Sequence, residues 1–287
     1  FLNPYGVMFG QNAKLDLQGG FHVSTADYLK LQEGGRFDAR TPRNSLLSVA
    51  PVTAFGFLET PNRIQIQGSQ LTVAPHREFS LIGGDLTLNH AQLTADSGRI
   101  NLVSVASRGE LTAKVEQLKA QIPDTSSFSQ LGSIQMTDTQ VETSGSPAGG
   151  ISIRGGQLLM TNALLHAHNY GSDPSMGIDI ELRDLMSMKS EDTSGYQHTD
   201  HNEAFGITSD TFAAGKAGHV AITAPRLEMR QNTIDVSTKG EGAGGNINIQ
   251  TQHMFLGEGA EILSNSYSAG AGGEIKLKAT ERLELVD

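Results

Sequence analysis

The sequence predicts an all-β fold, a right-handed parallel β-helix with about three short strands per coil. Three observations point there. Apolar-x-apolar segments such as Gly245-Asn246-Ile247-Asn248-Ile249 and Gly273-Glu274-Ile275-Lys276-Leu277 return at a nearly fixed interval. Glycine is abundant, with 33 copies in 287 residues, and it punctuates those segments where a chain needs tight corners. Large side chains are scarce: aromatics make up 6% and tryptophan is missing, so a thin core of Ile, Leu and Val has to suffice.

The interval is clearest in the second half. Val220 to Ile247 is 27 positions, Ile247 to Ile275 is 28, and upstream Ile151 to Ile178 is again 27. Each unit carries two or three apolar-x-apolar segments, as in Leu227-x-Met229 and Ile234-x-Val236. Alternation with period 2 places the apolar side chains on one face of a strand. One coil cannot bury that face alone; stacked coils can, with strands of successive coils pairing in parallel. The right-handed winding follows from the crossover rule for parallel strands.

The first half follows the same grammar more loosely. Ile64-x-Ile66, Leu71-x-Val73, Phe79-x-Leu81, Leu86-x-Leu88, Leu93 and Ile100-x-Leu102 alternate with corners at Gly68, Gly83-Gly84 and Gly98. If a coil takes about 25 residues, the chain holds roughly 11 coils in a body on the order of 50 Å long. Two stretches break the pattern. Glu110 to Ile122 has apolar residues at helical spacing, but Gly109 and Pro123 confine it, and extended structure is expected. Ile178 to Val220 is 42 positions, so polar residues 190–215 are expected to form a loop on the side of the solenoid.

Composition narrows the function. A net charge of −10 disfavours nucleic acid and anionic lipid as partners, because both are bound through Lys and Arg. Cysteine is absent, so burial and hydrogen bonds hold the fold, and nothing hinders passage of an unfolded chain through a narrow pore. No apolar run approaches the roughly 20 residues that span a bilayer. No signal peptide is visible either.

The opening residues carry the most specific signal. Asn3-Pro4-Tyr5-Gly6 is strong turn chemistry, and alternating apolar residues and a Gly19-Gly20 corner follow it. Together with Leu46-Leu47-Ser48, Ala54-Phe55-Gly56-Phe57-Leu58, Phe79 to Leu86 and Ser97 to Leu102, this arrangement resembles the secretion domain of the filamentous haemagglutinin family. These are the exported partners of bacterial two-partner secretion systems. Residues 128–287 resemble the Gly-x-Ile-x-Ile repeats that extend such proteins. Asn3, Pro4 and Gly6 match the family's Asn-Pro-Asn-Gly turn, while Tyr5 departs from it. The resemblance implies a secretion domain over 1–105 and continuing β-helix repeats over 106–287, and it makes Asn3, Pro4, Tyr5 and Gly6 the secretion motif. It also implies passage through the periplasm, export by an Omp85-type outer-membrane transporter, and an adhesive role at the cell surface toward a host glycan or protein. The chain begins inside the motif, so an upstream segment is expected.

Enzymatic readings have less behind them. β-Helical lyases and hydrolases gather several carboxylates on one sugar or one Ca²⁺, and here Asp179 and Glu181 are the acids to inspect. His198-Thr199-Asp200-His201-Asn202-Glu203 holds imidazoles and carboxylates, but no spacing fixes a Zn²⁺ geometry, and a polar loop is expected there. Gly240 to Gly245 formally fits G-x-G-x-x-G, yet a strand follows instead of the helix a dinucleotide requires. No catalytic, cofactor or metal residue is therefore assigned, and the chain is read as a non-enzymatic adhesin-like exoprotein. A carbohydrate-active β-helix and a structural surface-layer component are the alternatives. Leu2 and Leu285-Val286 show no polar cap, which predicts either further chain or end-to-end association.

Overall fold

The computed structural model describes the chain except for residues 16, 47, 113–122, 192–204 and 287. Parallel strands stack in three ladders that run the length of a β-helix. In the first ladder Phe21, Phe79, Ile100, Ile151, Ile178, Val220, Ile247 and Ile275 lie in register, one per rung. In the second, Val7, Ile64, Leu86, Ile134, Leu158, Met186, Leu227, Met254 and Leu283 do the same. Leu71, Leu93, Val141, Leu165, Ile207, Ile234 and Ile262 form the third. These columns are the core, and most of their members are fully buried. The 27- and 28-residue repeat seen in the sequence is one turn of this stack.

The coil count is lower than the sequence predicts. The longest ladder has nine rungs, which is roughly 40 Å at the spacing of paired strands. The difference comes from two excursions that were counted as coils. Tyr28–Leu31, Arg36–Asp38, Val52–Phe57 and Gly109–Thr112 form a separate four-stranded antiparallel sheet. It covers the outer face of the first ladder, where Ile82 and Val103 join Phe55, Phe57, Leu111 and Phe128 in a second core. The segment expected to be extended from Glu110 is a strand as far as Thr112, and residues 113–122 lie outside the described residues.

Within this sheet Tyr28 pairs with Gly56 across the strands, and its ring fills the space that a side chain at Gly56 would need. The Tyr28 hydroxyl donates to Glu110 Oε1 at 2.5 Å, and the Arg36 guanidinium lies 3.7 Å from the ring centroid. Burial and the bond to Glu110 push the Tyr28 hydroxyl up to about 12, and the same bond holds the Glu110 carboxyl below its usual range. A depressed carboxyl stabilises the fold above its unfolded value and loses that contribution as pH falls through the folded one. Tyr28→Phe should therefore be less stable than wild type at pH 7. In denaturant melts the gap should close as Glu110 is protonated in acid, and a gap independent of pH would contradict this account.

The turn after the third ladder has its own regularity. Gly145, Asn169, Thr211, Thr238 and Ser266 form successive parallel bridges, a fourth ladder one residue wide. Each side chain from Asn169 onward donates to the carbonyl four residues ahead: Asn169 Nδ2 to Asp173 at 2.8 Å, Thr211 Oγ1 to Gly215 at 2.6 Å, Thr238 Oγ1 to Gly242 at 2.5 Å, and Ser266 Oγ to Gly270. A side chain at Gly242 would collide with the Gly215 carbonyl of the coil before it, and one at Gly270 with that of Gly242. Gly240 to Gly245 belongs to this corner and leads into strand Ile247–Gly257.

The inserted loop of the sequence reading is smaller than 190–215. Residues 192–204, with the His198–Glu203 cluster, lie outside the described residues, but Gly206–Thr208 is a regular rung of the third ladder and Ile207 is fully buried. The amino-terminal end is also better covered than expected. Leu2 packs into the second core, while Ala13 and Leu15 close over the first. At the other end the last rung, Ile275–Val286, leaves inward-facing Ile275, Leu277, Leu283 and Leu285 exposed.

Candidate functional site

Asn3, Pro4, Tyr5 and Gly6 come together as one hydrogen-bonded turn at the first coil. The Gly6 N–H donates to the Asn3 carbonyl at 3.2 Å. The Asn3 side chain closes both sides: its Nδ2 donates to the Gly6 carbonyl at 3.0 Å and its Oδ1 accepts from the Tyr5 N–H at 3.1 Å. Pro4 fixes φ at the second position and brings no N–H that would need a partner. Gly6 sits at φ 104°, where a side chain is strained. The third position contributes backbone only, so the turn forms with tyrosine there.

Two further elements hold the turn. On one side the Asn3 N–H donates to the Ser24 carbonyl at 2.9 Å, and Leu2 bridges Ser24 in parallel. On the other, Asn62 Nδ2 donates to the Pro4 carbonyl at 2.8 Å and the Val7 N–H to the Arg63 carbonyl at 3.2 Å. Asn62 lies 58 positions beyond Pro4 in the chain, and no local spacing in the sequence announces it.

The face of the turn is aromatic and cationic. The Tyr5 side chain is 73% exposed, and the Arg40 guanidinium lies 5.5 Å from its ring centroid. Arg40 Nε donates to the buried Asp27 carboxylate, and its Nη2 is 3.7 Å from Glu59. The bond to Asp27 raises the Arg40 guanidinium above its ordinary value. The other Asp27 oxygen accepts the Leu58 N–H at 2.6 Å, tying the antiparallel sheet to the turn. Ser24 and Asp27 belong to the Ser24-Thr25-Ala26-Asp27 stretch that continues the opening motif, whereas Arg40 and Asn62 are supports that no local pattern in the sequence marks.

The remaining candidates fall elsewhere. Asp179 and Glu181 lie on the outer face of the first ladder, and both engage Arg154: Asp179 in close contact with Nη2, and Glu181 at 3.5 Å from Nε. Among the described residues no group of three His or acidic side chains is placed to hold a metal. Nor, among them, is any helix long and apolar enough to cross a membrane.

The sequence matches the family model described as the TPS secretion domain over residues 1–171, a span that contains the turn, the antiparallel sheet and the first coils. The chain belongs to that family. TPS secretion domain proteins are the exported members of two-partner secretion pairs, which makes this chain an exoprotein whose partner is an outer-membrane transporter. Its place is outside the outer membrane, secreted or at the cell surface. Among solved structures it is similar to the HMW1 secretion domain from Haemophilus influenzae, with a TM-score of 0.51 at 16% identity, covering 100% of this chain and 79% of that one. At that identity the likeness speaks for the β-helical fold alone. No curated protein matches the sequence.

Proposed function

We propose that the Asn3–Gly6 turn and the Tyr5–Arg40 face beside it are what an Omp85-type transporter recognises, and that the β-helix behind them is a non-enzymatic adhesive scaffold of the filamentous haemagglutinin kind. The observation that carries this reading is the turn itself, in which the Asn3 side chain, the Pro4 carbonyl and the Gly6 N–H and carbonyl are all engaged while the Tyr5 ring is presented to solvent. A turn bonded on both sides in this way holds one shape, and Tyr and Arg are enriched among the side chains that carry protein recognition. Asp179 and Glu181, the acids open to an enzymatic reading, are held by Arg154. The long stack of coils offers many parallel contact sites, which suits weak multivalent adhesion.

Co-expression with the cognate transporter tests the first half. Asn3→Ala removes both side-chain bonds of the turn, about 1 kcal/mol each, and should lower the secreted fraction severalfold while intracellular levels hold. Tyr5→Ala should lower it with the turn intact. Secretion of both variants at the wild-type level would refute the assignment. Adherence of bacteria with and without the exported chain to cultured cells tests the second half.

A further inference from the structure

On the shaft, exposed apolar side chains are confined to one corner. Among the described residues between Leu58 and Ile275, the exposed large apolar side chains are Tyr170, Met176, Phe212 and Tyr267. Three of the four each follow a residue of the one-residue ladder: Tyr170 after Asn169, Phe212 after Thr211, Tyr267 after Ser266. Lys239, after Thr238, takes the rung between Phe212 and Tyr267. Backbone bonds fix the alignment, since the N–H groups of Phe212, Lys239 and Tyr267 donate to the carbonyls of Asn169, Thr211 and Thr238 at 2.8–2.9 Å. The Tyr170 and Phe212 rings are 5.3 Å apart and tilted by 31°, and Lys239 Nζ is 4.8 Å from the Phe212 centroid. Tyr267 is 63% exposed, with its hydroxyl accepting from Asn265 Nδ2 at 3.0 Å.

We propose that this column, Tyr170–Phe212–Lys239–Tyr267, is a docking strip for a neutral linear polysaccharide. The inference deepens the adhesive reading above and rests on it. Three features select the ligand. The strip advances by about 4.8 Å per rung, the spacing of paired strands, close to the step from sugar to sugar in an extended β-linked glycan. It is one side chain wide, so it offers far less surface than the roughly 800 Å² per partner of a protein interface, and its exposed rings lie along an outer corner of the coils, which suits a linear polymer better than an enclosed small molecule. Its lysine charge is already met, because Lys239 Nζ donates to Asp210 at 2.7 Å, and Asp235 and Glu241 lie close by in the sequence. A polyanion would meet repulsion there, whereas aromatic rings and tyrosine hydroxyls suit the C–H faces and hydroxyls of an uncharged sugar.

Affinity electrophoresis of the purified chain in gels containing mixed-linkage β-glucan, xylan or galactomannan tests this, with dextran sulfate and hyaluronan as charged comparators. Retardation by at least one neutral polymer is expected. Tyr170→Ala, Phe212→Ala and Tyr267→Ala should each weaken it roughly fivefold, the loss typical of one anchoring ring. Tyr5→Ala should leave it unchanged. If the inner variants fail to fold, Tyr267→Ala, the most exposed, carries the test. The chain has no tryptophan and five tyrosines, so sugar binding should also alter tyrosine emission, and Tyr170→Phe/Tyr267→Phe should abolish that signal while keeping retardation. Retardation by no neutral polymer, or only by the charged ones, would overturn the proposal. So would self-association in sedimentation that the same substitutions remove, which would assign the strip to a second copy. The assay needs no export, so bacteria that still adhere through a chain not retarded by any glycan would sink this inference alone.

Discussion

Gly245→Val should detach the last coils from the stack. A side chain at Gly245 would fall inside the radius of the Gly218 carbonyl oxygen one coil below, with the Val236 side chain blocking the other direction. Both obstacles belong to strands or corners fixed by their own ladders, so neither yields without loss of pairing. Overpacking of this kind costs about 3 kcal/mol or more. Because coils stabilise one another only through their neighbours, the damage should stay local. Hydrogen exchange should show Ile247–Gly257 and Ile275–Val286 losing protection while Ile64–Gln67 and Arg99–Ser104 keep theirs. Gly10→Ala is the comparison, since nothing lies within 4 Å of that position. Uniform loss of protection along the whole chain would argue against independent coils.

The second large effect is expected at Asp27. Its buried carboxylate accepts from Arg40 on one oxygen and from the Leu58 N–H on the other, so Asp27→Ala strands a guanidinium and a backbone donor together. Breaking one side of such a pair costs roughly 2–3 kcal/mol where the cation keeps some access to water. Asp27→Asn retains an acceptor for Leu58 and should recover part of the loss. The change should also free Arg40 from its place over Tyr5, so secretion should fall in Asp27→Ala even at temperatures where the protein remains folded. Wild-type stability with unchanged secretion would remove Asp27 from both roles.

Much of the stack was readable from residue order. Ile151, Ile178, Val220, Ile247 and Ile275 recur at steps set by coil length, and they lie in one column. Ile64, Leu86, Phe79 and Ile100 were equally legible. The antiparallel sheet was hidden because Ala54-Phe55-Gly56-Phe57 alternates with the same period of 2 as a coil strand, and period says nothing about the partner's direction. Dividing the whole chain length by one coil length therefore counted these residues as coil. Gly206–Thr208 was hidden by its polar surroundings, since a three-residue rung with one apolar side chain barely rises above loop composition. At the turn, Asn3 to Gly6 was visible as local chemistry, but its supports Asn62 and Arg40 are tertiary. The corner column left a trace in the repeated Thr or Ser four residues before Gly, at Thr211, Thr238 and Ser266.

The antiparallel excursion has a bearing on timing. Phe79 and Ile100 are stacked neighbours only 21 positions apart, whereas Phe21 and Phe79 are neighbours across 58. Closing the longer loop loses more chain entropy, so the later pair has the head start. The Asn3–Gly6 corner has its own local bonds but is anchored on Ser24 and on Asn62-Arg63, and it is not held in place until that wide loop has shut. A nascent stretch ending before residue 62 would carry the turn without the anchor that fixes it against the coils.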